Sequence, residues 1–179
     1  MPEQDVLFLI AGQNPPQLVR LKLSTSEGRD IDNYQLRELD TYDVNQFSRY
    51  ESGNFVGVEF IGNPTPVYNC HGFVFASRRT NIDSNIELRK ILTDDKYIRI
   101  DHKDVLIGDV ILYVSKNSGE IVHIGMVVDV NKQNPVLGTK ILSKWGKYKE
   151  AIHPYQVCEY IDDSFLEFWR SNYGFNKSK

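Results

Sequence analysis

Short apolar and alternating runs dominate this chain, and the period of each run decides which element it can form. Residues 6–11 are continuously apolar, and over residues 18–23 Val19, Leu21 and Leu23 alternate with Arg20 and Lys22, the period-two pattern of a strand. Between residues 33 and 50, Tyr34, Leu36, Leu39, Val44, Phe47 and Tyr50 recur at loosely helical spacing, which predicts one or two short helices. Residues 55–61 are rich in β-branched and aromatic side chains and read as a strand, which Gly62, Pro64 and Pro66 bring to an end. Asn69 is then placed to cap a helix whose first turn holds Cys70, His71 and Gly72, with Arg78 and Arg79 towards its end, where the dipole favours cations. Ser84 and Glu87 form a capping box for a further helix, with Ile86, Leu88, Ile91 and Leu92 as its apolar side and an end before Tyr97.

From Tyr97 the pattern turns to strands, over residues 97–100, 109–115, 121–130 and 136–143. The turn-forming stretches 116–119 and 131–135 separate them, which predicts an antiparallel meander. Phe165, Leu166 and Trp169 stand at helical spacing and predict a closing helix over residues 163–173, with Gly174 as its stop. Helices segregated against an antiparallel sheet make an α+β fold. Within one domain the divisions are an N-terminal α/β extension over 1–62, a core over 63–146, and a C-terminal loop and helix over 147–179.

Composition narrows the class of molecule. With 179 residues, 41% hydrophobic and 25% charged, the chain has material for one folded core, which excludes disordered, collagenous and coiled-coil classes. A net charge of −3, with basic clusters only at Arg78-Arg79 and across residues 144–149, speaks against a nucleic-acid partner. The amino terminus lacks the basic start and apolar stretch of a secretory signal, and no run approaches the roughly 20 residues that span a bilayer. A cytoplasmic protein without membrane contact is the expectation. Two cysteines, Cys70 and Cys158, are no disulfide framework, which fits a reducing compartment. Neither GxGxxG nor GxxxxGK[ST] occurs, so no nucleotide cofactor is expected.

Cys70 and His123 are the candidate reactive groups. A thiol in the first turn of a helix has its thiolate stabilised by free N–H groups, although most free cysteines are simply small buried hydrophobes. Cys158 has no such setting and reads as structural. Strand alternation groups His123 with Ile121, Gly125 and Val127 against Val122, Ile124, Met126 and Val128. A lone histidine on an apolar strand is slightly more often a satisfied half-buried ring than a base. Beside it Gly125 leaves room for another backbone element, such as a helix start. An imidazole within reach of a thiol can take its proton and return it to a leaving group.

The stretch Asn69-Cys70-His71-Gly72-Phe73-Val74 resembles the Asp-Cys-Ser-Gly-Phe segment that opens the catalytic helix of the NlpC-type cysteine hydrolases. Downstream, Gly108-Asp109-Val110-Ile111-Leu112-Tyr113 and His123-Ile124-Gly125-Met126-Val127 resemble that family's Gly-Asp and His-Val-Gly strands, in the same order and at similar spacing. The resemblance covers residues 67–143. It implies a papain-like core with a catalytic helix packed on an antiparallel sheet, Cys70 as nucleophile, His123 as general base, and the Cys70 backbone N–H near the oxyanion. It also implies a thiol-dependent amidase or peptidase that passes through a thioester.

Two departures bear on substrate. Asn69 and His71 stand where the family has an acidic residue and a serine, which weakens any transfer of specificity for peptidoglycan peptides over other peptide or amide substrates. In the family a third polar residue on the next strand orients the histidine; Ser143 is the candidate here and His153 its rival. Trp145 and Tyr148 either line a cleft or pack against a loop, the commoner fate of buried aromatics. A zinc site of Cys70, His71, His123 and His153 is disfavoured, because neighbours on a helix diverge by about 100° and no short-spaced ligand pair occurs. Asp94-Asp95 and Asp162-Asp163 read as a helix end and a helix start. The alternative to an enzyme is an inactive papain-like domain that binds or regulates a protein.

Overall fold

The computed structural model describes residues 18–131, 133 and 138–172. The apolar run at 6–11, the start of the strand expected at 136, and the stop at Gly174 lie outside them. In chain order the elements are α1 (Thr41–Ser52), β1 (Glu59–Ile61), α2 (Cys70–Phe75), α3 (Asn85–Asp94) and β2 (Tyr97–Ile100). A 3-10 turn at His102–Asp104 leads into β3 (Val110–Ser115), β4 (Ile121–Asp129), β5 (Lys140–Lys144), β6 (Glu150–Pro154) and β7 (Ser164–Ser171). The architecture is α+β, as the pattern predicted: seven antiparallel strands in the order β1-β6-β5-β4-β3-β7-β2, with few helices.

Tight turns join β3 to β4 and β5 to β6 in the consecutive pairing β3-β4-β5-β6. Between β3 and β4 the chain reverses over residues 116–119, where Gly119 takes φ 71° and its N–H bonds to the Ser115 carbonyl at 2.9 Å. Between β5 and β6 it reverses at Gly146, φ 54°, with Trp145 N–H on the Lys149 carbonyl at 3.1 Å. The strand β6 carries no strong signal of its own, being five residues that read Glu-Ala-Ile-His-Pro.

The closing helix and the simple meander are both corrected. Residues 164–171 form a strand that inserts between β3 and β2, pairing Ile111 with Phe168 and Arg99 with Trp169. Helical spacing misleads here because Leu166 and Phe168 also fit a period of two and pack on one side, while Trp169 packs on the other. The insertion satisfies the backbone of β3, which a helix would have left as an open edge. In place of the strand expected over residues 18–23 there are only isolated bridges, Val19 to Gln35 and, just after it, Ser24 to Asp30. The Ser84 side chain makes no cap bond; Glu87 instead accepts from the Asp32 N–H at 3.2 Å and from Lys90 Nζ at 2.6 Å.

Two apolar clusters lie on the sheet. One joins Cys70 and Ala76 near α2 and Leu88, Ile91 and Leu92 of α3 to Val110, Leu112, Ile121 and Ile124. The other gathers Ile111, Tyr113, Val127, Ile141, Phe168, Tyr155 and Cys158. The helix α2 rests on β4 and β5, and this contact sets the position of Cys70.

Candidate active site

The start of α2 is held by Asn69. Its Oδ1 accepts from the Gly72 N–H at 2.9 Å and the Ile82 N–H at 3.2 Å, and its Nδ2 donates to the Ile82 carbonyl at 3.0 Å and Asp83 Oδ1 at 2.7 Å. The cap expected of Asn69 is thus present, and it also ties the helix to residues 82–83. Gly72 permits this contact, since a Cβ there would lie 1.6 Å from the Thr80 carbonyl oxygen. The helix is only six residues long, and Arg78 and Arg79 fall beyond its end. Arg78, with φ 65°, turns to Glu150 instead, with Nε to Oε1 at 2.6 Å.

A bulge shapes the start of β4. Tyr113 pairs with His123 and Val114 with Ile121, so Val122 is the extra residue. Strict alternation therefore fails there: Ile121 packs in the same cluster as Ile124, while Val122 packs in the other. The His123 ring sits 5.2 Å from Tyr160 in a stacked arrangement and 5.3 Å from Tyr113. Gly125 does not face the helix start. A Cβ on it would meet Ile141 Cδ1 at 2.9 Å and the Leu142 carbonyl at 3.3 Å, so its small size serves the approach of β5.

Cys70 and His123 come together in the interior, 9% and 3% exposed. Burial is the largest influence on the Cys70 thiol and opposes its ionisation. The charges and hydrogen bonding of His71 and His123 outweigh it and hold the thiol well below its ordinary range. Among the described residues the His123 Nε2 is buried without any other partner. Cys158 is the opposite case: burial first of all pushes its thiol up to about 12, consistent with a structural role.

His71 was read only as a departure or a zinc ligand, yet it belongs to the cluster. Its Nδ1 lies 2.8 Å from the Ile82 carbonyl and its Nε2 is buried with no partner other than the Cys70 thiol. The only sequence signal was its place beside Cys70, and the approach of residues 80–83 to α2 could not be read from spacing.

Ser143 and His153 pair with each other. Ser143 Oγ lies 2.8 Å from His153 Nε2, and Trp145 Nε1 donates to Ser143 Oγ at 3.2 Å. No hydrogen bond joins Ser143 to His123 among the described residues. His153, wholly buried, is pulled down to about 4, chiefly by burial and also by the charge of His123, so its ring is neutral. Its Nδ1 lies 2.9 Å from the Pro154 carbonyl, leaving Nε2 to accept.

A charged cluster lies on the other flank of the thiol. Lys144 is fully buried, donates to the Gly146 and Tyr148 carbonyls at 3.0 and 2.5 Å, and is pulled down to about 8, mainly by burial. Glu150 accepts from Arg78 and, at 2.7 Å, from the Tyr68 hydroxyl. Trp145 and Tyr148 do not line a cleft: they are buried in an aromatic cluster with Tyr50, Phe55 and Phe60. Asp94 ends α3 and accepts from Thr25 Oγ1 and Arg29, whereas Asp163 precedes a strand rather than a helix. Clefts of about 510 and 220 Å³ lie elsewhere, beside Arg20–Leu23 and beside Arg99–His102 respectively.

Among the described residues no three His, Cys, Asp or Glu side chains could hold a metal ion, and no helix is long and apolar enough to cross a membrane. Compared with known proteins, the chain matches no family model, no curated protein and no solved structure.

Proposed function

We propose that this chain is a thiol-dependent hydrolase, a cysteine peptidase or amidase of the papain-like, NlpC-related type. The observation that carries the reading is the buried meeting of the Cys70 thiol, at the start of α2, with His123 on β4, where His71 and His123 favour its ionisation in spite of its burial. The Cys70 sulfur attacks the carbonyl carbon of an amide; the C–S bond forms and the carbonyl electrons move to oxygen, near the Cys70 backbone N–H. As the C–N bond breaks, the leaving amine takes a proton from His123. Water then gives a proton to His123 and attacks the thioester, the C–S bond breaks and the thiolate is restored. A peptide or other amide compound is the substrate, with peptidoglycan peptides one case, and no cofactor takes part.

A second reading, a catalytically inactive protein-binding domain of the same fold, is favoured by one observation: the Ser143 hydroxyl is committed to His153 and Trp145 rather than to His123. The rate of Cys70 alkylation by iodoacetamide against pH, located by mass spectrometry, separates the two. The hydrolase reading expects half-maximal reactivity well below the ~8.5 of a free thiol, with the advantage reduced in His123→Ala. An ordinary thiol in both proteins would favour the binding domain. A thioester on Cys70, trapped after mixing with an activated ester and absent in Cys70→Ser, would add the covalent step.

A further inference from the structure

Two buried imidazoles flank the thiol, and a dyad uses only one of them. His71 is 7% exposed, its Nδ1 side is tied to the Ile82 carbonyl at 2.8 Å, and its buried Nε2 is left with no partner other than the Cys70 thiol. A buried polar nitrogen without a partner is costly, and such groups cluster where chemistry requires them. The Ile82 carbonyl also receives Asn69 Nδ2, so the ring is fixed to the segment that caps the helix carrying Cys70. An Nδ1–H donated to that carbonyl leaves Nε2 as the atom that can exchange a proton with sulfur.

We infer that His71 is a second proton partner of the Cys70 thiol: it shares with His123 the ionisation of the nucleophile and keeps its own proton while His123 carries the proton that moves to the leaving group. This rests on the thiol-hydrolase reading above and extends it. The division of labour follows from surroundings. Burial is the largest influence on His71 and disfavours its charge, but Cys70, the Ile82 carbonyl and Asp83 together raise its proton affinity. His71 therefore holds an imidazolium next to sulfur when His123 has delivered its proton, so the thiolate released from the thioester is met by a positive charge. Before attack the S–H bond breaks, its electron pair stays on sulfur and the proton passes to His123, while the proton on His71 is taken up from water and stays there; no oxidant or cofactor is needed.

Other groups near the sulfur are Lys144 on β5 and Cys158 and Tyr160 in the segment after β6, each of which senses a charge on Cys70. None of them replaces His71, because Lys144 is already bonded to two carbonyls and the other two are acids.

The test combines variants with a measurement on the unaltered chain. His71→Asn keeps a donor in the Nδ1 position for Ile82 and removes the far side of the ring with its Nε2. Its midpoint for Cys70 alkylation should rise by about one pH unit, a roughly tenfold loss of rate on the acid side, with His123 present. His123→Ala should lose part of the advantage, and the double variant all of it. In the full wild-type chain, the imidazole resonances of His71 followed by NMR should titrate at lower pH once Cys70 is capped by methylthiolation, a result that needs no variant to fold. The inference is overturned if capping leaves the His71 midpoint unchanged, or if His71→Asn, folded, matches wild type while His123→Ala alone gives an ordinary thiol. An ordinary thiol in wild type would instead sink the hydrolase reading itself.

Discussion

His153 shows how a single buried ring can set the pH response of the protein. Its neutral form is held by burial, by the charge of His123 and by Ser143 and Trp145 at Nε2, which together outweigh the Pro154 carbonyl at Nδ1 that favours the proton. In the unfolded chain a histidine takes a proton below about 6.5. In the folded chain His153 does so only near 4, so the folded state binds fewer protons across that window. Stability is complete above about 6.5 and falls as the pH drops towards 4, by about 3 kcal/mol from this group. Urea unfolding at pH 7 and pH 4.5 should show that loss in wild type and a smaller one in His153→Gln; equal losses would show that other groups govern acid unfolding. Residues whose role is local were legible in the sequence: Asn69 as a cap and Cys70 in the first turn behind it. The Ser143–His153 contact was not, because it depends on the register of β5 on β6, which pairs Ile141 with His153 and sets Ser143 on the neighbouring diagonal.

At the scale of elements, the short helix α2 owes its place to side-chain bonds more than to its own length, since six residues supply little of a full macrodipole. Asn69→Ala removes the cap and three further bonds to Ile82 and Asp83, and should destabilise the fold by about 1–2 kcal/mol in urea titrations. Gly72→Ala should cost more, because the new methyl would collide with backbone rather than with a movable side chain. A midpoint for Gly72→Ala at or above that of Asn69→Ala would show that residues 80–83 yield, and the close packing would lose its importance. The same scale explains the misread closing element. Apolar residues at 165, 166, 168 and 169 satisfy both periods, and only the unpaired edge of β3 decides for a strand. The bulge at Val122 was equally invisible, as alternation cannot register an inserted residue.

For the molecule as a whole, the burial of Cys70 and His123 means that any reagent reaches the sulfur only after something moves. Tyr160 covers the His123 side of the pair: it stacks on His123 yet is itself 36% exposed, within a connection between β6 and β7 that has no strand or helix of its own. The neighbouring wall is firmer, because α1 is bound to the β5-β6 turn by Lys147 on Asp43 at 2.7 Å and by Tyr50 stacked on Tyr148. Opening is therefore expected at Tyr160 rather than at α1. An aromatic stack is worth about 1 kcal/mol beyond its buried area, which corresponds to roughly fivefold in the population of an opened state. Tyr160→Ala should thus speed modification of Cys70 by a bulky aromatic disulfide about fivefold, and by less with iodoacetamide, which needs a smaller opening. Equal acceleration of both reagents would mean that Tyr160 tunes the thiol through His123 instead of covering it. No acceleration of either would place the entrance elsewhere, with Tyr50 the next residue to remove.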